Sequence, residues 1–290
     1  MVLCEILIHS FKHPKIHIVK CLILLYDIIM EKTMKKEPKA IFLDIDGTLI
    51  LNDEGPFDED IEQIKIAKEY GHYFFLNTGR AFSNIPTILK EATYIDGMVM
   101  GSGTHVQLKG KTLYHKWITE KILISVCRYF LNNKKWCVFE GETDIYGVNK
   151  FDPTLFVGEV ISISDENDFS NKYHGVKITK LTIEGKATAE ERHLLEDYFQ
   201  LNSFSNYYEA IIKGEDKSNG IKMILKETGI LLENSIAIGD SINDISALST
   251  VNLGIAMGNA CNELKEMAQY ITDDCKHGGV GKAIKILLLS

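Results

Sequence analysis

Four short polar clusters in the 290-residue chain each follow or closely trail an apolar run. They are Asp44-Ile45-Asp46-Gly47-Thr48, Asn77-Thr78-Gly79-Arg80, Gly214-Glu215-Asp216-Lys217 and Gly239-Asp240-Ser241-Ile242-Asn243-Asp244. If those runs are strands of one open α/β sheet, the clusters converge, because ligands of such sheets bind beyond the carboxyl ends of the strands. The crevice then holds at least four carboxylates, a threonine hydroxyl and a lysine. Carboxylates packed this closely repel one another unless a hard cation neutralises them, and Mg²⁺ takes oxygen ligands octahedrally. Thr78 and Lys217 add a hydrogen-bond donor and a cation, the groups an anionic phosphoryl oxygen wants. Beside a metal and a cationic clamp, Asp44 is placed to attack phosphorus. Asp46, two residues on and past the turn, is placed to reach the leaving oxygen as a general acid. These residue types point to phosphoryl transfer.

The elements that must position these residues are legible in the hydrophobic pattern. Residues 40–44 (AIFLD) form an apolar run ending in an acid, as a parallel strand buried on both faces requires. A helix follows, with Asp58 or Asp60 at its cap, Ile61, Ile64 and Ala67 at helical spacing, and Gly71 as its stop. Strands are expected at 73–76 and 95–100, a helix at 81–92, and a hairpin around Lys109-Gly110-Lys111. Between 117 and 206 the alternation gives way to helices at 120–132 and 188–200 and strands at 136–139, 143–148, 155–163 and 176–183. That mixture reads as an α+β insert with an antiparallel sheet. Strand–helix alternation returns from 208, with strands at 208–212, 235–238, 253–256 and 270–272. Three regions are therefore expected: an extension at 1–36, a Rossmann-like α/β core of 37–116 and 207–290, and an α+β cap at 117–206.

Composition narrows the class. A net charge of −8 excludes the basic footprint of a nucleic-acid protein. Six cysteines without a C-x-x-C pair offer neither a disulfide framework nor a zinc finger, and no N-x-[ST] sequon is present. A cytoplasmic protein is expected. The apolar stretch at 16–30 carries Lys20 and Asp27 and falls short of the roughly 20 residues a membrane span needs. His9, His13 and His17 share a helical spacing, but Pro14 breaks that ladder. Met34 opens a natural start, so residues 1–33 are expected to be an upstream in-frame extension.

Asp44-x-Asp46-Gly47-Thr48, Thr78, Lys217 and Gly239-Asp240-x-x-Asn243-Asp244 together resemble the four ordered motifs of the haloacid dehalogenase (HAD) superfamily. The insert resembles the type C2 cap of its Cof-like subfamily, as do Gly254-Ile-Ala-Met-Gly-Asn-Ala260 and Gly278-Gly-Val280. The resemblance spans about 39–290. It implies a phosphatase in which Asp44 becomes an aspartyl-phosphate and Asp46 serves as acid and then base. Thr78, Gly79 and Lys217 would bind the substrate phosphate. Asp44, the carbonyl of Asp46, Asp240 and Asp244 would hold Mg²⁺, with Asn243 supporting them. The implied partner is a small phosphorylated metabolite, a sugar phosphate or phosphorylated cofactor; oligomeric state is not readable. Ser102-Gly103-Thr104 stands where family members often carry Asn-Gly-Ala.

Competing readings are weaker. Asp44-x-Asp46-Gly47 lacks the third acidic or amide position of an EF-hand loop. Gly101-Ser-Gly103 lacks the third glycine of a dinucleotide fingerprint, and Gly279-Val-Gly281-Lys282 lacks the first glycine of a P-loop. Lys213 competes with Lys217, which opens a helix and aligns with the family pattern. Glu140, Glu142 and Asp144 read as a solvated turn, with a substrate-facing role for them or Tyr146 as the minor alternative. His105, His115, His174 and His193 show no paired spacing. A phosphomutase would share every core residue, whereas a non-catalytic phospho-metabolite sensor would have no use for Asp46.

Overall fold

A computed structural model describes residues 37–51, 55–150 and 156–289. The readings of the 16–30 run and of His9, His13 and His17 fall outside the described residues. Among those described, no helix is long and apolar enough to cross a membrane.

The chain runs through β1 (Ala40–Leu43), α1 (Asp58–Glu69), β2 (Tyr73–Asn77), α2 (Thr87–Lys90), β3 (Gly97–Met100), β4 (His105–Leu108) and β5 (Lys111–His115). It continues through α3 (Glu120–Asn133), β6 (Cys137–Gly141), β7 (Ile145–Val148), β8 (Val160–Ile163), α4 (Asp168–Asn171), β9 (Ile178–Glu184), α5 (Ala189–Leu195), β10 (Phe199–Ser203) and β11 (Tyr207–Ile212). The last part holds α6 (Lys217–Thr228), β12 (Ser235–Gly239), α7 (Ile245–Thr250), β13 (Leu253–Ala256), α8 (Asn262–Met267), β14 (Tyr270–Ile271) and α9 (Gly279–Leu288).

Two sheets result. The first has the order β14-β13-β12-β1-β2-β3-β4-β5. It is parallel from β14 to β3 and ends in the antiparallel β4–β5 hairpin. Every residue of β1 is buried, as expected for a strand covered on both faces. From β1 the chain moves to β2 on one side, and it later returns to β12 on the other. The carboxyl ends of β1 and β12 thus flank the point where the strand order reverses, where open α/β sheets bind ligands.

The second sheet, β10-β11-β9-β6-β7-β8, is antiparallel apart from the β7–β8 pair. Its strands alternate with period two. Cys137, Phe139, Leu181, Ile183, Tyr208 and Ala210 pack with Leu123, Val126 and Phe130 of α3 in one apolar core. Alternate positions Glu140, Lys180, Thr182 and Glu209 point to the opposite face, in the register Glu140↔Lys180 and Glu209↔Thr182. The fold is therefore a parallel-sheet α/β core with an α+β cap.

Several elements differ from expectation. The single helix expected at 81–92 is a 3₁₀ turn at Phe82–Asn84 followed by α2. Pro86 is the reason: it lacks an N–H and forces the preceding Ile85 into an extended conformation, φ −84° and ψ 134°. The helix expected over 188–200 stops at Leu195, and Phe199–Ser203 pairs instead with β11. β11 itself was expected to reopen the core. It lies between β10 and β9 in the second sheet, so that sheet extends to Ile212. An apolar run reads the same in either sheet, and only hydrogen-bond partners tell them apart.

Candidate active site

Asp44 sits one residue past β1, its N–H donating to the Ile238 carbonyl of β12 at 3.0 Å. Lys217 is the first residue of α6, whose N-cap Asp216 accepts from the N–H groups of Ser218 and Asn219. That cap sets the helix start, and with it the direction of the lysine. Lys217 Nζ lies 2.6 Å from Asp44 Oδ1, 2.6 Å from Asp244 Oδ1 and 3.1 Å from Asn243 Oδ1. Lys213, its competitor in the sequence, points elsewhere and donates to the Glu196 carbonyl at 3.0 Å. Lys217 is only 1% exposed. Burial pulls its ammonium down, but Asp244 and Asp44 outweigh that and hold it above the usual lysine range.

The loop after β12 is held by its own carboxylate. Asp244 Oδ2 accepts the N–H groups of Asp240 at 3.0 Å and Ser241 at 3.1 Å, while Ser241 Oγ donates to Asn243 Oδ1 at 2.8 Å. Thr48 Oγ1 reaches Asp240 Oδ1 at 3.3 Å, linking the two loops. Gly47 makes that approach possible: its φ is +76°, and a Cβ there would lie 2.4 Å from Asp240 Oδ2. Asn259 fastens the same turn from the other side, Nδ2 to the Gly47 carbonyl at 2.8 Å.

Asp44, Asp240 and Asp244 each offer a carboxylate oxygen within 4.8 Å of the others. Burial, then Asp244, raises the Asp44 carboxyl well above its ordinary range despite Lys217. Burial and Asp244 likewise push Asp240 up to about 7. One buried lysine therefore leaves the cluster short of positive charge, and the donor set is all oxygen. Both properties fit a hard divalent cation.

Thr78 is buried at the end of β2, with its Oγ1 accepting the Arg80 N–H at 3.1 Å. Gly79 follows it, and a Cβ there would meet Ser102 Oγ and Asn243 Nδ2 at 3.5 Å each. Ser102 holds a left-handed conformation, φ 53°. Asp46 is exposed and is gripped by both of its oxygens in the Arg80 guanidinium fork, at 2.6 and 2.8 Å. Among the sequence-expected site residues, Asp44, Lys217, Asp240, Asn243 and Asp244 form one connected group. The Asp46 side chain turns away from it toward the second sheet.

Beside Asp46 lies a cavity of about 150 Å³, walled by Arg80 and Asn84 from the core and by Glu140, Lys180, Thr182, Tyr207 and Glu209 from the second sheet. Its polar wall is a connected network. Glu140 accepts from Thr182 Oγ1 at 2.6 Å and from Asn84 Nδ2 at 2.9 Å, and Lys180 Nζ lies 2.6 Å from Glu209 and 3.3 Å from Glu140. Burial alone lowers a lysine, yet Glu140 and Glu209 reverse that effect and raise Lys180. Of the acidic trio at 140–144, Glu140 alone joins this wall; Tyr146 packs into the helix-side core of the second sheet. Arg80 stands in a strand-end cluster and could have been singled out for that reason. Lys180 and Glu209 carry only a faint signal, a charged residue at alternate positions of an otherwise apolar strand.

The profile of the haloacid dehalogenase-like hydrolases matches residues 41–284. The Bacillus subtilis phosphatase YcsE, which acts on 5-amino-6-(5-phospho-D-ribitylamino)uracil, is 28% identical over 247 residues, covering 85% of this chain and 94% of its own. YkrA of the same organism is 25% identical over 254 residues, covering 87% of this chain and 98% of its own. Among solved structures, a sugar phosphatase of HAD subclass IIB superposes with a TM-score of 0.73 at 26% identity, over 86% of this chain and 98% of that one. The matched span includes all four polar clusters, both sheets and the connections between them. The chain thus belongs to the haloacid dehalogenase-like hydrolases, in their Cof-like branch of phosphoric monoester hydrolases.

Proposed function

We propose that the protein hydrolyses a small phosphate monoester, a sugar phosphate or a phosphorylated cofactor, through a phosphoryl group carried transiently on Asp44. The observation that carries this reading is the Lys217 ammonium, 2.6 Å from both Asp44 and Asp244 at the carboxyl end of the parallel sheet. It orients one nucleophilic oxygen and offsets the charge of the acids around it.

In the proposed cycle, Thr78, the N–H groups around Gly79 and Lys217 bind the phosphoryl oxygens. Asp44 attacks phosphorus, the P–O bond to the leaving alcohol breaks, and Asp46 gives that oxygen its proton. Asp46 then takes a proton from water, whose oxygen attacks phosphorus and frees Asp44 with release of inorganic phosphate. Mg²⁺ held by Asp44, Asp240 and Asp244 supplies charge neutralisation when bound. Asp46 is occupied at both oxygens by Arg80, so proton transfer requires Arg80 to release it. A substrate entering the neighbouring cavity provides a new partner for the guanidinium.

The cavity supports a compact, hydroxyl-rich leaving group, because its wall alternates carboxylates with an ammonium and hydroxyls, and a volume of about 150 Å³ leaves room for only a small moiety. Of the three relatives named above, the subclass IIB enzyme is a sugar phosphatase and YcsE acts on 5-amino-6-(5-phospho-D-ribitylamino)uracil, which carries its phosphate on a polyhydroxylated chain. Hydrolysis of p-nitrophenyl phosphate with Mg²⁺, with a chelator and by the Asp44→Asn variant tests the mechanism. Metal-dependent turnover abolished by the substitution is expected. Turnover that survives Asp44→Asn sinks the assignment. A following screen of phosphorylated metabolites, with isomerised product sought alongside free phosphate, identifies the substrate.

A further inference from the structure

A second group of metal-ligating side chains stands apart from the carboxylate site. His105 opens β4 and His115 closes β5, and the hairpin register pairs them directly across the ladder. Ten residues of separation carry no recognisable ligand spacing; the hairpin alone brings the rings together. They stack at 3.9 Å between centroids, with planes 6° apart. Glu142, in the turn between β6 and β7 of the second sheet, brings Oε1 to 3.7 Å from His115 Nδ1. One ligand atom from each of the three lies within 4.8 Å of the others.

The polar bookkeeping here is unusual. His105 is 1% exposed and the His115 side chain 5%. Nevertheless His105 Nδ1 and both ring nitrogens of His115 have no hydrogen-bond partner. Buried polar atoms are nearly always paired, and leaving one unpaired is destabilising. Gln107 contacts the other nitrogen of His105, Nε2, at 3.1 Å. That leaves Nδ1 as the free ligand atom and orients the ring from behind, as outer partners of metal-bound histidines do. Lys177 binds Glu142 through Oε2 at 3.0 Å, which leaves Oε1, the oxygen facing His115, uncommitted.

We propose that His105, His115 and Glu142 form a binding site for a borderline divalent transition metal of the zinc class, bridging the core hairpin and the second sheet. Two imidazoles and a carboxylate are a recognised zinc donor set, whereas hard Mg²⁺ prefers all-oxygen ligands. Burial, with His115 beside it, drives His105 down to about 4, and burial also lowers His115, so both rings are neutral and able to ligate at pH 7. The stacked rings hold their in-plane lone pairs side by side. Binding therefore requires His115 to swing about its Cα–Cβ bond toward Glu142. Because His115 immediately precedes the segment leading from the core hairpin into α3, the ion would staple the two sheets beside that connection. This inference is independent of the reaction proposed above.

The test uses the full chain, stripped of metal, in the Asp44→Asn/Asp240→Asn background that disables the carboxylate cluster. Zn²⁺ is titrated against a chromophoric zinc indicator, and thermal unfolding is followed with and without Zn²⁺. The expected result is one bound zinc that raises Tm. Its affinity falls more than about 100-fold in both His115→Gln and Glu142→Gln, since even outer-shell partners are worth 10–100-fold. Glu142 is partly exposed and Gln matches its volume, so that variant keeps the test decisive should His115→Gln fail to fold. His9, His13, His17 and the cysteines could also take up zinc. Binding that neither substitution alters therefore overturns the proposal, as does the absence of any bound zinc.

Discussion

At the scale of single residues, the site rests on charges that would be unfavourable alone. Lys217 is the clearest case, a fully buried ammonium held by Asp44 and Asp244. Lys217→Met strands two buried carboxylates, and breaking a buried pair in this way costs about 3–5 kcal/mol. A Tm lower by about 10 °C is expected by calorimetry, partly recovered by millimolar Mg²⁺, which restores positive charge to the same acids. Turnover of p-nitrophenyl phosphate falls by at least about 10⁴-fold in Asp44→Asn, the scale seen when a nucleophile is lost. In Asp46→Asn it falls by about 10²–10⁴-fold, the contribution of a general acid. Arg80 acts through Asp46 and the cavity. Arg80→Lys keeps the charge but loses the two-pronged grip, and a rise in KM larger than the fall in kcat is the expected signature in steady-state kinetics.

At the scale of elements, the termini of helices carry the positioning. Asp216 caps α6 and thereby aims Lys217; Asp244 caps its own loop after β12. Asp60 was expected to cap the helix in which it lies. It instead accepts the Gly281 N–H at 2.6 Å, serving the first turn of α9. Burial pushes its carboxyl from an ordinary 3.8 up to about 6, although the Gly281 N–H works the other way. The folded state then favours the protonated form, so its contribution to stability declines as pH rises from about 4 to about 6. Asp60→Asn keeps the acceptor and removes the charge. Its Tm relative to the parent should climb through that interval and level off above it, with a pH-dependent gain of about 3 kcal/mol by pH 8. A pH-independent difference would show that the charge of Asp60 is immaterial there.

At the scale of the whole molecule, the proposed reaction assigns chemistry and substrate reading to different sheets. The acids, Thr78 and Lys217 stand on the parallel core, while Glu140, Lys180 and Glu209 face Asp46, Arg80 and Asn84 from the second sheet. A substrate with a large, flat leaving group makes little use of that wall. Glu209→Gln should therefore change p-nitrophenyl phosphate turnover by less than about tenfold. Across a panel of phosphorylated sugars and cofactors it should shift kcat/KM by more, in line with the 1–3 kcal/mol that a single charge-assisted hydrogen bond carries. Equal losses on every substrate would place Glu209 in a purely structural role. Lys180→Met is the harsher change, because it leaves both carboxylates of the network without their cation.

The sequence by itself determined the parallel core, the four polar clusters and their order. Each cluster is local: an apolar run, a turn with its glycine, and polar side chains within a few residues, all governed by short-range rules. It also marked Lys217 over Lys213, since a helix start is a local feature. Only the tertiary structure decided which sheet β11 joins, because an apolar strand does not name its hydrogen-bond partners. It alone showed that Asp60 serves α9, that Arg80 grips Asp46, and that Glu140, Lys180 and Glu209 share one wall. The pairing of His105 with His115 across a hairpin belongs to the same class. These are contacts between residues far apart in the chain or set by strand register, and a one-residue slip in register would send each side chain to the opposite face.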